Sequence, residues 1–230
     1  MPAGLTVDLW LADLGDDSGV GALRGLLSAG EIDRANRFGQ DIHRSRFILC
    51  RAYRRIVLAD YLGCAASELI FDENGKNKPA LRLPPDGQRL HFSTSQSGNQ
   101  WLMAVATADI GVDIEALREI RDLEAMIGRV CSGSEARVLS AMQPADRFDH
   151  FFTLWTIKEA VAKLTGEGLF ASFDAIDTGG EAAPSTARYQ GQQVYLAVPD
   201  IPGPAKAMLA AHRPGLRIRQ RDVTSLPGAR

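Results

Sequence analysis

What most constrains this chain is that its strand-like runs come in groups and do not alternate one for one with helices. Residues 89–94 and 101–107 each carry strand patterning and are joined by the polar stretch 95–100; residues 110–115 follow after the Ala108-Asp109 step. Near the start, residues 5–12 alternate too, with Leu5, Val7, Leu9 and Leu11 on one side. Residues 193–198 and 207–212 read as late strands around proline-rich turns at 199–204. Helical spacing fills the intervals: 23–37, broken by Gly25 and Gly30; 41–62, ending at Gly63; 123–142; and 151–164, stopping before Gly166. Residues 72–75 (Asp-Glu-Asn-Gly) and 84–87 (Pro-Pro-Asp-Gly) are turn chemistry. Strands grouped between helices, without regular βαβ alternation, predict an α+β fold.

Composition narrows the function classes. With 45% hydrophobic and 23% charged residues over 230 positions, the chain suits one large domain or two modest ones sharing a core. A net charge of −2 argues against general nucleic-acid binding. Cys50, Cys64 and Cys131 are odd in number and lack CxxC spacing, so a reducing compartment is expected. Asp8, Asp13, Asp16 and Asp17 interrupt any leader-like start, and no apolar run is long enough for a bilayer. The expectation is a soluble cytoplasmic protein without membrane contact. Between residues 31 and 60, seven arginines face four acids, which suits a solvated helix face as well as an anion surface.

Two segments carry chemistry. In Gly111-Val112-Asp113-Ile114-Glu115 a strand buries Val112 and Ile114 on one side and projects Asp113 and Glu115 together on the other. Two carboxylates so spaced suit a hard divalent cation such as Mg²⁺, although an exposed acidic edge strand has the same pattern. In residues 151–168, Trp155, Glu159 and Lys163 recur at every fourth position and line one helix face, with Lys158 beside it. Alone, that face is ordinary helix surface and Gly166 an ordinary helix stop. Together the segments supply what a polyphosphate substrate needs: acids for a metal and lysines to offset phosphate charge.

G-V-D-I-E followed about forty residues later by W-x-x-K-E-A-x-x-K-x-x-G-x-G closely resembles the paired signature of the 4'-phosphopantetheinyl transferases, in the larger, monomeric, surfactin-synthetase-activating type. Residues 35–44, Asn77-Lys78-Pro79 and residues 207–214 extend the likeness to most of the chain. The resemblance implies two similar α/β halves with pseudo-twofold symmetry and the ligand cleft between them. It places residues 1–109 in an N-terminal half with nucleotide-side contacts, 110–213 in a C-terminal half with the metal and catalytic motifs, and 214–230 in a tail. It implies transfer of the 4'-phosphopantetheine group from coenzyme A to a serine of an acyl- or peptidyl-carrier protein, releasing adenosine 3',5'-bisphosphate.

By the same resemblance Asp113, Glu115 and Glu159 hold Mg²⁺, and Lys158 and Lys163 contact phosphates. Glu159 or a metal-bound water takes the carrier serine's proton. Arg44, Lys78, Pro79, Ser95 and Gln96 match positions near the nucleotide. The sequence departs from the family pattern where F-N-x-S-H-S reads Phe92-Ser93-Thr94-Ser95-Gln96-Ser97. Gln96 can donate a hydrogen bond but carries no positive charge, so weaker or altered recognition of the 3'-phosphate is expected. That departure is also the sole support for an alternative, a catalytically silent coenzyme A or carrier-protein binding module. A third reading, an unrelated metal-dependent phosphohydrolase, predicts bisphosphate release with no carrier present.

Overall fold

The structure, a computed structural model of the chain, describes residues 4–72, 79–82, 90–168, 171–181 and 183–229. The turn expected at 84–87, and all but Asp72 of the one at 72–75, lie outside the described residues. The first half runs β1 (Thr6–Asp13), α1 (Val20–Leu23), α2 (Ala29–Asn36), α3 (Asp41–Leu62), the short paired strands β2 (Phe71–Asp72) and β3 (Ala80–Leu81), then β4 (His91–Ser97) and β5 (Gln100–Ala106). The second half repeats the plan with β6 (Ile110–Ala116), α4 (Leu123–Val130), α5 (Gly133–Ser140), α6 (Pro144–Thr165), β7 (Thr186–Tyr189), β8 (Gln192–Ala197) and β9 (Ala205–Ala211). In each half the first strand pairs antiparallel with the last, β1 with β5 and β6 with β9. Helices α3 and α6 are both 22 residues long and both stop at a left-handed glycine, Gly63 (φ 62°) and Gly166 (φ 79°). Glycine adopts that conformation without steric cost.

The sheet orders are β10-β1-β5-β4 and β6-β9-β8-β7. Strand β10 (Arg217–Asp222) returns from the C-terminal end and lies parallel to β1, so residues 217–222 belong to the first sheet. Helix α3 covers one face of that sheet with Ile48, Ala52 and Val57 against Trp101, Met103 and Val105. Its other face meets the second sheet through Leu5, Val7 and Leu9 on one side and Ile110, Val112 and Ile114 on the other. Helix α6 closes the far face with Ile157, Ala160, Val161 and Leu164. The order of layers is therefore helix, sheet, sheet, helix.

Local chemistry explains where the elements differ from the expectation. The 123–142 helix is two helices, because Ser132 caps α5 and exchanges hydrogen bonds with Glu135 in a capping box. Likewise Ser28 with Glu31 starts α2, so the break near residue 30 falls at Ser28 and Gly30 lies inside the helix. Helix α6 begins at Pro144, earlier than residue 151; proline at the first turn lacks only an N–H that has no helical partner there. The polar stretch 95–100 is not all loop: Ser95, Gln96 and Ser97 continue β4, and the chain turns at Gly98-Asn99. Among the described residues no helix is long and apolar enough to cross a membrane.

Candidate active site

The site begins with a glycine. On β6, Val112 and Ile114 enter the core between the sheets, while Gly111, Asp113 and Glu115 face α6. A Cβ on Gly111 would stand 1.9 Å from the Ala160 carbonyl oxygen and 2.7 Å from the Leu164 nitrogen. Only a bare backbone lets α6 lie this close to β6. That approach sets the helix face bearing Trp155, Glu159 and Lys163 against the strand carboxylates.

Contacts then run in register. The Lys163 ammonium donates to Asp113 Oδ1 at 2.6 Å, and the Trp155 indole N–H donates to Glu115 Oε1 at 3.2 Å. From the opposite side, the edge strand β4 presents serine hydroxyls. Ser95 donates to Asp113 Oδ1 at 2.8 Å and accepts from Lys163 at 2.8 Å, and Ser97 donates to Glu115 Oε2 at 3.1 Å. Ser93 and Ser97 also accept the Val112 and Ala116 backbone N–H groups. Hydroxyls at alternate positions therefore join the edges of the two sheets where no main-chain ladder runs between β4 and β6.

Glu159 takes no side-chain hydrogen bond among the described residues. Burial, then the Asp113 and Glu115 charges, push its carboxyl above the ordinary carboxylate value, with Lys163 opposing. Burial and Asp113 do the same to Glu115, against the hydrogen bonds from Ser97 and Trp155. Among the described residues no three His, Cys, Asp or Glu side chains already stand as a metal-ligand set. Asp113 Oδ2 is nevertheless buried with no hydrogen-bond partner, and a buried unpaired carboxylate oxygen is costly. Hard oxygen donors, crowded negative charge and an orphaned oxygen fit a small divalent cation.

These carboxylates form one wall of a cleft of about 640 Å³. Ser95, Gln96 and Lys163 line it as well, and α3 supplies the facing wall with His43, Arg46, Phe47 and Arg51. One wall is acidic, the other cationic and aromatic. A smaller cavity of about 150 Å³ adjoins it, lined by Pro79, Thr94, Lys163 and Gly166. Arg44 is not on the cleft wall; it donates to the Phe38 carbonyl and pairs with Asp41. Lys78 lies outside the described residues. Sequence reasoning did not assign His43, Arg46 or Arg51 to the site; the signals were the arginine excess and, for His43, the family likeness over residues 35–44. The structure divides that excess, since Arg54 and Arg55 are buried and paired with Glu31.

A model of the 4'-phosphopantetheinyl transferase superfamily matches residues 109–197. The 4'-phosphopantetheinyl transferase HetI of a Nostoc species is 38% identical over 167 residues, covering 71% of this chain and 70% of HetI. The chain belongs to this transferase superfamily. Psf-1 of Bacillus pumilus is 37% identical over 136 residues, 59% of this chain and 56% of its own. Sfp of Bacillus subtilis is 28% identical over 179 residues, 78% of this chain and 73% of its own. The phosphopantetheinyl transferase reading of the paired motif thus stands, and the protein is an enzyme of that class.

In this phosphopantetheinyl transferase Lys158 is not where the resemblance put it. The residue is fully buried, pairs with Glu135 at 2.8 Å, and donates to the Phe173 and Ile176 carbonyls at 2.8 and 2.6 Å. With its donors so used, it has none for a phosphate in the cleft. Burial pushes the Glu135 carboxyl up, but Lys158 beside it and the donors Ser132 and Thr178 outweigh that, and it sits below its ordinary value. The first half contains the same brace. Arg55 pairs with Glu31 and donates to the Ala66 and Leu69 carbonyls. Counted back from the capping glycines Gly63 and Gly166, Arg55 and Lys158 hold the same position. In both halves a buried cation ties a capping-box glutamate to the turn after the long helix. Lys158 therefore belongs to the scaffold, and Lys163 is the lysine that faces the cleft.

Proposed function

We propose that this enzyme transfers the 4'-phosphopantetheine group from coenzyme A to a serine of an acyl- or peptidyl-carrier protein, with Mg²⁺, releasing adenosine 3',5'-bisphosphate and acting as a cytoplasmic monomer. The observation that carries this reading is the convergence of Asp113, Glu115, Glu159 and Lys163 on one wall of a cleft whose other wall is cationic. Asp113, Glu115 and Glu159 would hold the metal, with Asp113 Oδ2 as the oxygen most in need of it. When bound, such an ion polarises phosphoryl oxygens and offsets the charge that gathers on the departing bisphosphate.

The remaining roles fall to the chain itself. The Lys163 ammonium has three N–H donors and spends two on Ser95 and Asp113, leaving one for a phosphate oxygen. Glu159 has a carboxyl held above the ordinary range, nearer the pH at which a general base works well, and would take the serine proton. Arg46 and Arg51, with His43 beside them, give the cleft a cationic wall suited to the nucleotide phosphates. A nucleophile on the enzyme is not needed, because the carrier supplies the attacking hydroxyl.

The test is intact-mass analysis of purified carrier proteins incubated with enzyme, coenzyme A and Mg²⁺. A gain of one phosphopantetheine mass, abolished by chelator and by Asp113→Ala, is the expected outcome. No gain on any carrier of a broad panel, or full activity in Asp113→Ala, would overturn the reading.

A further inference from the structure

The two strand carboxylates of the site are not held alike. Asp113 shares one oxygen between Lys163 and Ser95 and leaves the other unpaired. Glu115 is gripped at both oxygens, by the Trp155 indole N–H at Oε1 and the Ser97 hydroxyl at Oε2. Neither donor is free to turn away. The Ser97 hydroxyl accepts the Ala116 N–H at 3.0 Å, which directs its own hydrogen toward Glu115. The indole is wedged edge-on against Phe173, with ring centres 6.0 Å apart, and tilted against Phe151 at 6.1 Å. The two grips come from different halves of the fold, Ser97 from β4 and Trp155 from α6.

We propose that Ser97 and Trp155 are positioning residues that clamp the Glu115 carboxylate from opposite sides, fixing the direction in which it offers its remaining lone pairs to a divalent cation. This rests on the reading of Glu115 as a metal ligand. A carboxylate accepts about four hydrogen bonds, so two donors leave it room to ligate. Two donors also remove the rotational freedom that a lone glutamate would have to lose on binding. Partners of this kind commonly set metal affinity by about 10- to 100-fold. Trp155 is more than core filling, because its one polar atom points at the site. The clamp also couples the halves: if β4 shifts relative to α6, the two donors can no longer meet the same carboxylate.

The experiment uses the full chain and Mg²⁺ itself, titrated calorimetrically into protein with coenzyme A, alongside carrier-loading kinetics at varied Mg²⁺. Trp155→Phe keeps the ring packing and removes only the N–H; Ser97→Ala removes the hydroxyl, and Ser97→Thr restores it. Trp155→Phe and Ser97→Ala are expected to weaken Mg²⁺ binding about 10-fold or more. Both should raise the half-saturating Mg²⁺ in loading more than they lower the rate at saturating Mg²⁺, and Ser97→Thr should recover most of the loss. Unchanged Mg²⁺ affinity in both variants, while Glu115→Gln loses it, would overturn the clamp and leave the metal reading standing. Unchanged affinity in Glu115→Gln would overturn the metal reading and the clamp with it.

Discussion

Substituting Gly111 by alanine adds one methyl group, and the structure says how much room that methyl lacks. From 1.9 Å to the 3.0 Å below which real Cβ contacts essentially never fall is a shift of about 1.1 Å. The obstructing atoms are the Ala160 oxygen and Leu164 nitrogen, which are helix backbone and cannot rotate aside. Helix α6 must therefore move as a body away from β6. Overpacking costs about 1–3 kcal/mol, and a backbone clash belongs at the upper end. About 3 kcal/mol lowers the melting temperature of a chain this size by roughly 6–12 °C. The same shift carries Lys163 away from its 2.6 Å contact with Asp113, and a misplacement of about 1 Å can cost about 100-fold in rate. Circular-dichroism melting and carrier loading followed by intact mass measure both effects. Gly128→Ala is the control, because that glycine lies in α4 with nothing within 4 Å of its added Cβ. If Gly111→Ala melts and loads carrier like the parent, the close approach of α6 is not what the glycine is for.

Lys158→Met should leave Glu135 as a buried unpaired charge and cost about 3–5 kcal/mol, read as a large fall in melting temperature. Below its lowered melting point that variant should keep carrier-loading activity; near-complete loss of activity with unchanged melting would restore the lysine as a phosphate contact. Glu115 and Glu159 hold their protons above the ordinary value of 4.5, so loading should fall off on the acid side above pH 4.5, and more Mg²⁺ should move that limb to lower pH. For stability the sign is opposite to that of a salt-bridged acid. The folded chain binds more protons than the unfolded one here, so the contribution of these carboxyls is present below about 4.5 and declines as pH rises through their folded values. Melting without metal across pH 4–8, compared with Glu159→Gln, checks this, and a curve unaltered by that substitution would refute it. Gln96 lines the cleft but donates to the Gly98 carbonyl at 2.8 Å. Gln96→His should lower the KM for coenzyme A more than that for its 3'-dephospho form, and equal effects on the two would remove Gln96 from the 3'-phosphate site.

Much of the fold was legible locally. Helix α3 and its end at Gly63 follow from apolar spacing and a left-handed cap, and β6 follows from strict alternation, because both patterns are short-range. Harder cases were elements whose boundaries a single polar residue sets, such as the Ser132 cap, and polar strands such as β10, which carries Arg217, Arg219 and Arg221. Strand β10 exists because β1 offers an open edge and Asp8 receives Arg219, a pairing between the two ends of the chain. Strand β7 is four residues long and likewise earns its place only by pairing with β8.

The acid pair and the Trp155, Glu159, Lys163 helix face were determined by sequence alone, since residue spacing decides which side chains share a face. Spacing set Lys163 on the Glu159 face, but it did not show that the neighbouring Lys158 is withdrawn from the cleft altogether. Lys158 and Lys163 are the same residue type on the same helix, and only the packing of α5 and the 173–176 segment against α6 turned one inward to Glu135. The same holds for the arginines of α3. Arg54 and Arg55 reach Glu31 and are buried struts, while Arg46 and Arg51, earlier along the same helix, line the cleft. Charge is written in the sequence, but whether a charge is spent on the scaffold or offered to a ligand depends on what the tertiary fold brings within hydrogen-bond reach.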